Sequence, residues 1–100
     1  MQSADLSSLV VNALDDLKGV NVVQLDVREL TDVMDFLVVA SGTSNRHVKA
    51  LAENVTDEAK KQGQRPLGVE GQDGAEWVLV DFGDVVVHIM LPATRDFYDL

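Results

Sequence analysis

Two short stretches carry the side chains whose types and spacing could do chemistry. The first, 41–47, reads Ser-Gly-Thr-Ser-Asn-Arg-His and joins an apolar run to an amphipathic segment. It is therefore expected to link a buried strand to a helix N-terminus, where the first backbone N–H groups can bind anions. Ser44, Arg46 and His47 are a candidate anion site, although a capped turn with solvated basic residues explains the same pattern and is the favoured interpretation.

The second stretch, Glu76–Met90, combines acidic side chains with a histidine and the only tryptophan of the chain. Asp81 and Asp84 could hold a metal ion as paired carboxylates, but aspartates beside a hairpin tip are ordinary turn residues. His88 could act as a general base, yet no serine or cysteine nucleophile can be placed beside it. Catalysis is therefore the minority hypothesis, and no cofactor is expected.

The same stretch predicts a β-hairpin, because two β-branched apolar runs flank a turn signal at Phe82-Gly83. If Asp81 pairs with Asp84, Trp77 lies opposite His88, and alternate side chains point to opposite faces. One face is purely aliphatic and predicts core: Val78, Val80, Val85, Val87 and Ile89. The other mixes apolar, aromatic and charged side chains as binding surfaces do, and these are the predicted partner-binding residues: Trp77, Leu79, Asp81, Asp84, Val86, His88 and Met90.

Composition limits the classes of partner. One hundred residues, 46% of them hydrophobic, are enough for one compact domain, 1–100. The net charge of −9 argues against direct binding to DNA or RNA and favours a basic protein surface. The absence of cysteine excludes disulfides and thiol-based metal sites. No signal peptide or membrane span is recognisable, so a cytoplasmic location is expected.

The elements that must position these residues can be predicted from periodicity. Helical spacing of apolar residues indicates an amphipathic helix over about Ser3–Lys18, with Ser3 as N-cap and Gly19 as its stop. Val20–Val27 alternates as a strand does, and the continuous apolar run Phe36–Ala40 indicates a central strand buried on both faces.

A second helix is expected between a cap at Thr43 or Ser44 and a stop at Gly63. A short strand at Pro66–Val69 would complete a βαβ unit before the hairpin, and a short helical turn would begin at Ala93 or Thr94. The predicted fold class is α/β, with a mixed sheet of five strands. Two main helices would cover one sheet face, and the terminal segment would cover only part of the other.

Three segments, 35–50, 77–88 and 95–100, resemble the ribosomal silencing factor family, also called Iojap-like. The resemblance runs from the first helix to the last residue, with the segments in the same order and at similar spacing. Family members usually continue with a few residues of the type Glu-Lys/Arg-Leu-Trp, so the chain is expected to be truncated at its C-terminus.

The resemblance implies a translation repressor without catalytic activity, whose fold resembles that of nucleotidyltransferases without their active site. It implies binding to the large ribosomal subunit through ribosomal protein L-fourteen, which would block joining of the small subunit when nutrients are scarce. Free family members are often homodimers. Two alternatives stay open: a nucleotide-binding enzyme of nucleotidyltransferase type that uses the 41–47 turn with Asp81 and Asp84, and a plain dimerisation module.

Overall fold

The computed structural model describes residues 1–98 of the chain. Within them lie, in chain order, α1 (Ser3–Asp16), β1 (Val20–Asp26), β2 (Phe36–Ser41), α2 (Asn45–Lys61), β3 (Gly68–Glu70), β4 (Trp77–Asp81), β5 (Val85–Met90) and α3 (Pro92–Phe97). The strands form one sheet in the order β1-β2-β5-β4-β3. The β2–β5 pair is parallel and the other pairs are antiparallel, so the predicted α/β class with a mixed five-stranded sheet is confirmed.

Helices α1 and α2 cover one face of this sheet because each carries an apolar stripe at helical spacing. The predicted stripe of α2 is buried throughout: Val48, Leu51, Ala52, Val55 and Ala59. The five aliphatic residues predicted for the hairpin core face these helices, and none of them has any exposed surface. The predicted core face of the hairpin is therefore confirmed.

The hairpin register differs from the predicted one by two residues. The observed pairs place Trp77 opposite Met90, Leu79 opposite His88, and Asp81 opposite Val86. The predicted pairing of Trp77 with His88 is therefore wrong. A shift by one residue would have exchanged the two faces, whereas a shift by two leaves each side chain on its face.

A tight turn at Gly83 and Asp84 causes this shift. The N–H of Phe82 donates to the carbonyl of Val85 at 2.9 Å, and Gly83 has a φ of 89°. Glycine reaches this region at no steric cost, and a positive φ at the first central residue is typical of type II′ hairpin turns. Asp81 Oδ1 accepts a 2.7 Å hydrogen bond from the Gly83 N–H, which is the turn chemistry expected of aspartate.

The ends of α1 differ from prediction. Gln2 occupies the N-cap position without a side-chain cap, because the Ser3 hydroxyl donates instead to Asp35 Oδ2 at 2.7 Å. At the other end, the Gly19 N–H donates to the Leu14 carbonyl at 2.8 Å, while Lys18 adopts the positive φ, 60°. The left-handed residue after α1 is therefore Lys18, and Gly19, the predicted stop, is the next residue along the chain.

β1 has an irregularity between Val20 and Val23, and Val22 packs against the helix-covered core, but the predicted apolar side with Val23 and Leu25 faces away from the helices. Val23 and Leu25 remain 38% and 45% exposed, whereas Gln24 lies on the α1 side and donates its amide to the Ser7 hydroxyl at 2.5 Å. β1 is an edge strand, so Gln24 meets α1 at the border of the helical layer, where polar side chains can pack.

β2, α2 and β3 form the predicted βαβ unit in split form, because β3 runs parallel to β2 but is not its neighbour. β3 lies at the edge of the sheet, separated from β2 by β5 and β4. β3 pairs antiparallel with β4, which places Glu70 beside Leu79 on the face away from the helices. The short terminal helix, α3, lies on that same face, where Tyr98 at its C-cap contacts Trp77. It begins at Pro92, slightly before the predicted start at Ala93 or Thr94.

Candidate functional site

The candidate site is the sheet face opposite α1 and α2, here called the open face. Strand alternation and the observed register place these side chains on it: Val23, Leu25, Leu37, Val39, Glu70, Trp77, Leu79, Asp81, Val86, His88 and Met90. Most are apolar, yet Trp77, Leu79, Val86 and His88 are only half-buried. Such a partly exposed apolar and aromatic surface is typical of a protein-binding site.

Trp77 is held in place by aromatic and polar contacts. Its Nε1–H donates to His88 Nδ1 at 3.0 Å, with the two ring centroids 5.8 Å apart. On another side the Tyr98 ring lies 4.9 Å away at a tilt of 54°. Because both neighbours restrict the indole, Trp77 is presented in one orientation and would lose little side-chain entropy on binding a partner.

His88 occupies the centre of the open face, on the middle strand. Burial lowers the pKa of its imidazole below the ordinary value, because charge is costly in a partly desolvated site. Nδ1 accepts the indole hydrogen bond, so the neutral ring with its proton on Nε2 fits the observed geometry. The structure thus gives His88 a positioning role towards Trp77.

Met90 departs from its prediction as a partner-binding residue. It shares the open face with Trp77, but its side chain is fully buried. Arg95 of α3 donates to the Ser41 hydroxyl at 3.1 Å and to the Asn21 carbonyl at 2.8 Å. These bonds fix α3 over the end of the face where Met90 lies. The Met90 side chain is therefore part of the packed interior and is not accessible to a partner.

The two aspartates of the hairpin have different environments. Asp81 is half-buried and uses one carboxylate oxygen for the turn, whereas the Asp84 side chain is exposed. The Asp84 carbonyl accepts the N–H groups of Asp35 and Phe36 at 2.7 and 3.0 Å, which fixes the tip beside β2. Within residues 1–98, no three potential metal ligands converge into a group that could hold a metal ion.

The 41–47 turn satisfies its own polar groups. Ser44 Oγ caps α2 by accepting the His47 N–H at 3.1 Å, and His47 Nδ1 accepts the Thr43 N–H at 2.9 Å. His47 Nε2 lies 2.7 Å from the Leu17 carbonyl, so the ring ties the end of α1 to the start of α2. Arg46 is exposed. The structure brings Ser44 and His47 together as a cap and a helix tie, which fits the capped-turn interpretation.

Sequence reasoning missed two contributors to the open face. Tyr98 packs on Trp77, and Glu70 lines a cleft of about 330 Å³ together with Gly71, Trp77, Leu79 and His88. Glu70 lies far from His88 in the chain, and only the placement of β3 beside β4 brings the two into one cleft. The periodicity of such a short strand contains no signal for this.

Among residues 1–98, no helix is long and apolar enough to cross a membrane.

Comparison with known proteins identifies the family. The family described as "Ribosomal silencing factor during starvation" matches residues 1–100. Ribosomal silencing factor RsfS of Chromobacterium violaceum is 49% identical over 100 residues, which cover all of this chain and 82% of that protein. A crystal structure of a protein from Chromobacterium violaceum superposes with a TM-score of 0.96 at 49% identity, covering 99% of this chain and 82% of the other.

More distant relatives occur in eukaryotes. Mitochondrial assembly of ribosomal large subunit protein 1 of Mus musculus is 41% identical over 69 residues, covering 66% of this chain and 30% of that protein. The chloroplastic protein Iojap of Zea mays is 33% identical over 91 residues, covering 91% of this chain and 40% of that protein. With a family match along residues 1–100 and a relative that is 49% identical over the same residues, this chain belongs to the ribosomal silencing factor family.

Proposed function

We propose that this chain binds the large ribosomal subunit through ribosomal protein L-fourteen and thereby blocks joining of the small subunit. Translation would fall when nutrients are scarce, and the protein would act in the cytoplasm, where bacterial ribosomes work. Family membership supports a ribosome-associated regulator. The name of the mouse relative, which refers to assembly of the large ribosomal subunit, supports that subunit as the partner.

The observation that carries the proposal is the preformed surface around Trp77. An indole held by His88 and Tyr98 projects from a half-exposed apolar face. Tryptophan is among the residues most often found as anchors of protein interfaces. Because the sheet already fixes this surface, association would require little reorganisation of the free protein.

Charge supports a basic protein as the partner. The chain has a net charge of −9, and the open face is bordered by the carboxylates of Glu70, Asp81 and Asp84. A negative potential around an apolar centre accelerates encounter with a positively charged surface. Ribosomal RNA, in contrast, would be repelled, which favours a ribosomal protein as the direct contact.

The proposed mechanism is steric and needs no chemistry. A domain bound at the subunit interface occupies space that the small subunit requires, so the extent of inhibition follows occupancy. Relatives are named as silencing factors, and this name supports a regulatory role. The binding residues would consequently determine affinity alone.

The test combines binding with competition. Purified chain is sedimented with isolated large subunits, and light scattering then follows joining after small subunits are added. We expect co-sedimentation, a slower and smaller joining signal, and reversal of both by excess free ribosomal protein L-fourteen. Binding that L-fourteen does not compete for would contradict the proposed contact.

A second copy of the chain is the competing occupant of the open face in the free protein. Val23 and Leu25 extend the exposed apolar area to the β1 edge, which supports a homodimer through this face. Light scattering after size exclusion should then give a dimer mass for the free chain, and the mass of a complex of one chain with one L-fourteen when L-fourteen is added.

A further inference from the structure

We propose that the cleft lined by Glu70, Gly71, Trp77, Leu79 and His88, here called the β3 cleft, receives an arginine side chain of the protein partner. This inference rests on the proposed function and specifies the chemistry by which the open face would recognise its partner. The cleft has a volume of about 330 Å³, and its walls come from three adjacent strands and the residue after β3.

The geometry of the cleft follows from strand register. Glu70 pairs with Leu79, and Leu79 pairs with His88, so these side chains form a row across β3, β4 and β5. Gly71, with a φ of 83°, forms the wall beside Trp77, and a Cβ there would collide with the Trp77 carbonyl oxygen. Any other residue would displace the backbone, so this wall has no side chain.

Trp77 lines this cleft, but its indole has no free hydrogen-bond donor to offer a ligand there. The only donor of the Trp77 ring, Nε1–H, is already bound to His88 Nδ1 at 3.0 Å. What remains is the electron-rich face, which attracts cations and most of all those that can stack flat on it.

The charges in the cleft favour a cation. The carboxylate of Glu70 makes no hydrogen bond or ion pair with any residue of 1–98. His88, on the opposite wall, adds no positive charge at neutral pH, because burial lowers its pKa. An anionic ligand would meet Glu70 and be repelled, whereas an apolar one would leave the aromatic face and the carboxylate unused.

Arginine fits this combination better than lysine. The guanidinium group is planar and weakly hydrated, and it can stack on an aromatic ring while its N–H groups bind a carboxylate in the same plane. The ammonium group of lysine is compact and strongly hydrated, so it would satisfy Glu70 at a larger desolvation cost. The cleft therefore selects for a stacked and ion-paired side chain.

The first experiment uses the single tryptophan of the chain. The indole N–H resonance of the folded protein is followed by NMR during titration with N-acetyl-arginine methylamide, and with the corresponding lysine and norleucine derivatives. We expect the arginine derivative to shift this resonance most and norleucine least. Equal shifts with all three, or none with arginine, would overturn the proposal.

Matched variants locate the effect. Glu70→Gln removes the carboxylate from the cleft, whereas Glu53→Gln removes one from the exposed surface of α2 and changes the net charge equally. The arginine-induced shift should disappear only in Glu70→Gln. A shift reduced equally in both variants would assign the effect to net charge and contradict the proposal.

The second experiment separates this inference from the proposed function. Affinity for isolated large subunits should fall about tenfold in Glu70→Gln, as expected for a lost cation contact in a partly desolvated site, and should be unchanged in Glu53→Gln. If wild-type chain does not bind large subunits, the proposed function fails. If wild type binds and Glu70→Gln binds equally well, the β3 cleft proposal fails and the proposed function stands.

Discussion

The two faces of the sheet are made by neighbouring residues of the same strands, yet they have different roles. Val78, Val80, Val87 and Ile89 point towards the helices and have no exposed surface. The residues between them, among them Leu79, Val86 and His88, are only half-buried. Both sets are largely apolar, so hydrophobicity alone does not separate core from surface here. The difference lies in coverage, because two long helices protect one face and the six-residue α3 protects one end of the other.

The largest expected effect comes from placing a charge on the helix-covered face. Val87→Asp would bury a carboxylate without a partner at a cost of several kcal/mol, comparable with the whole stability of a domain of this size. We expect an insoluble or unfolded chain by circular dichroism. A soluble variant with cooperative unfolding would show that this face is not the core.

Truncation of the central aromatic side chain of the open face should separate binding from folding. Trp77→Ala is expected to fold, because its neighbours on β4 keep their burial, and to lose at least about 2 kcal/mol of binding to large subunits, roughly 30-fold in Kd. Leu17→Ala, at the exposed end of α1, is the control and should bind normally. An unfolded Trp77→Ala would mean that the indole is core.

His88→Ala sharpens the comparison because it lies next to Val87 in the chain but on the other face. The variant should stay folded and bind more weakly, since the indole of Trp77 loses the acceptor that orients it. We expect a smaller loss than for Trp77→Ala in the same sedimentation assay. If His88→Ala unfolded while Val87→Asp remained folded, the two faces would have to be exchanged.

Acidification should weaken the folded state through His88. Its pKa is lowered in the folded chain but stays near its ordinary value, about 6.5, in the unfolded chain. At a pH between the folded and the unfolded pKa, the unfolded chain binds the proton more readily than the folded chain. The stability that the neutral imidazole contributes is therefore complete above about pH 6.5 and is lost as the pH falls towards the folded pKa. Urea unfolding at several pH values should show a steeper acid loss in wild type than in His88→Ala. Parallel curves would contradict the expected role of this imidazole.

The smallest expected effect concerns the acidic hairpin tip. Asp81→Asn and Asp84→Asn should slow association with large subunits several-fold at low salt and leave dissociation nearly unchanged, because rim charges act mainly on encounter. In Asp81→Asn the side-chain amide oxygen can still accept the Gly83 N–H that the Asp81 carboxylate accepts now, so the turn should survive. Association rates equal to wild type at low ionic strength would remove these carboxylates from the steering surface.

Local periodicity explains how much of the fold could be predicted. The buried stripe of α2 and the two faces of the hairpin follow from repeats of 3.6 and 2 residues, which any segment shows without reference to its neighbours. The capped turn at Ser44 is predictable for the same reason, since a cap and its target N–H are three residues apart. Features of this kind depend on a few consecutive residues.

The tertiary structure decided what depends on distant partners. Val23 and Leu25 face away from the helices because they pair with Val39 and Leu37, whose side chains lie on the open face. Met90 is buried at the end of the face where Arg95 anchors α3. Glu70 reaches the cleft beside Trp77 only because β3 pairs with β4. Alternation along a strand determines which side chains share a face, but which face is covered, and by what, depends on contacts between residues far apart in the chain.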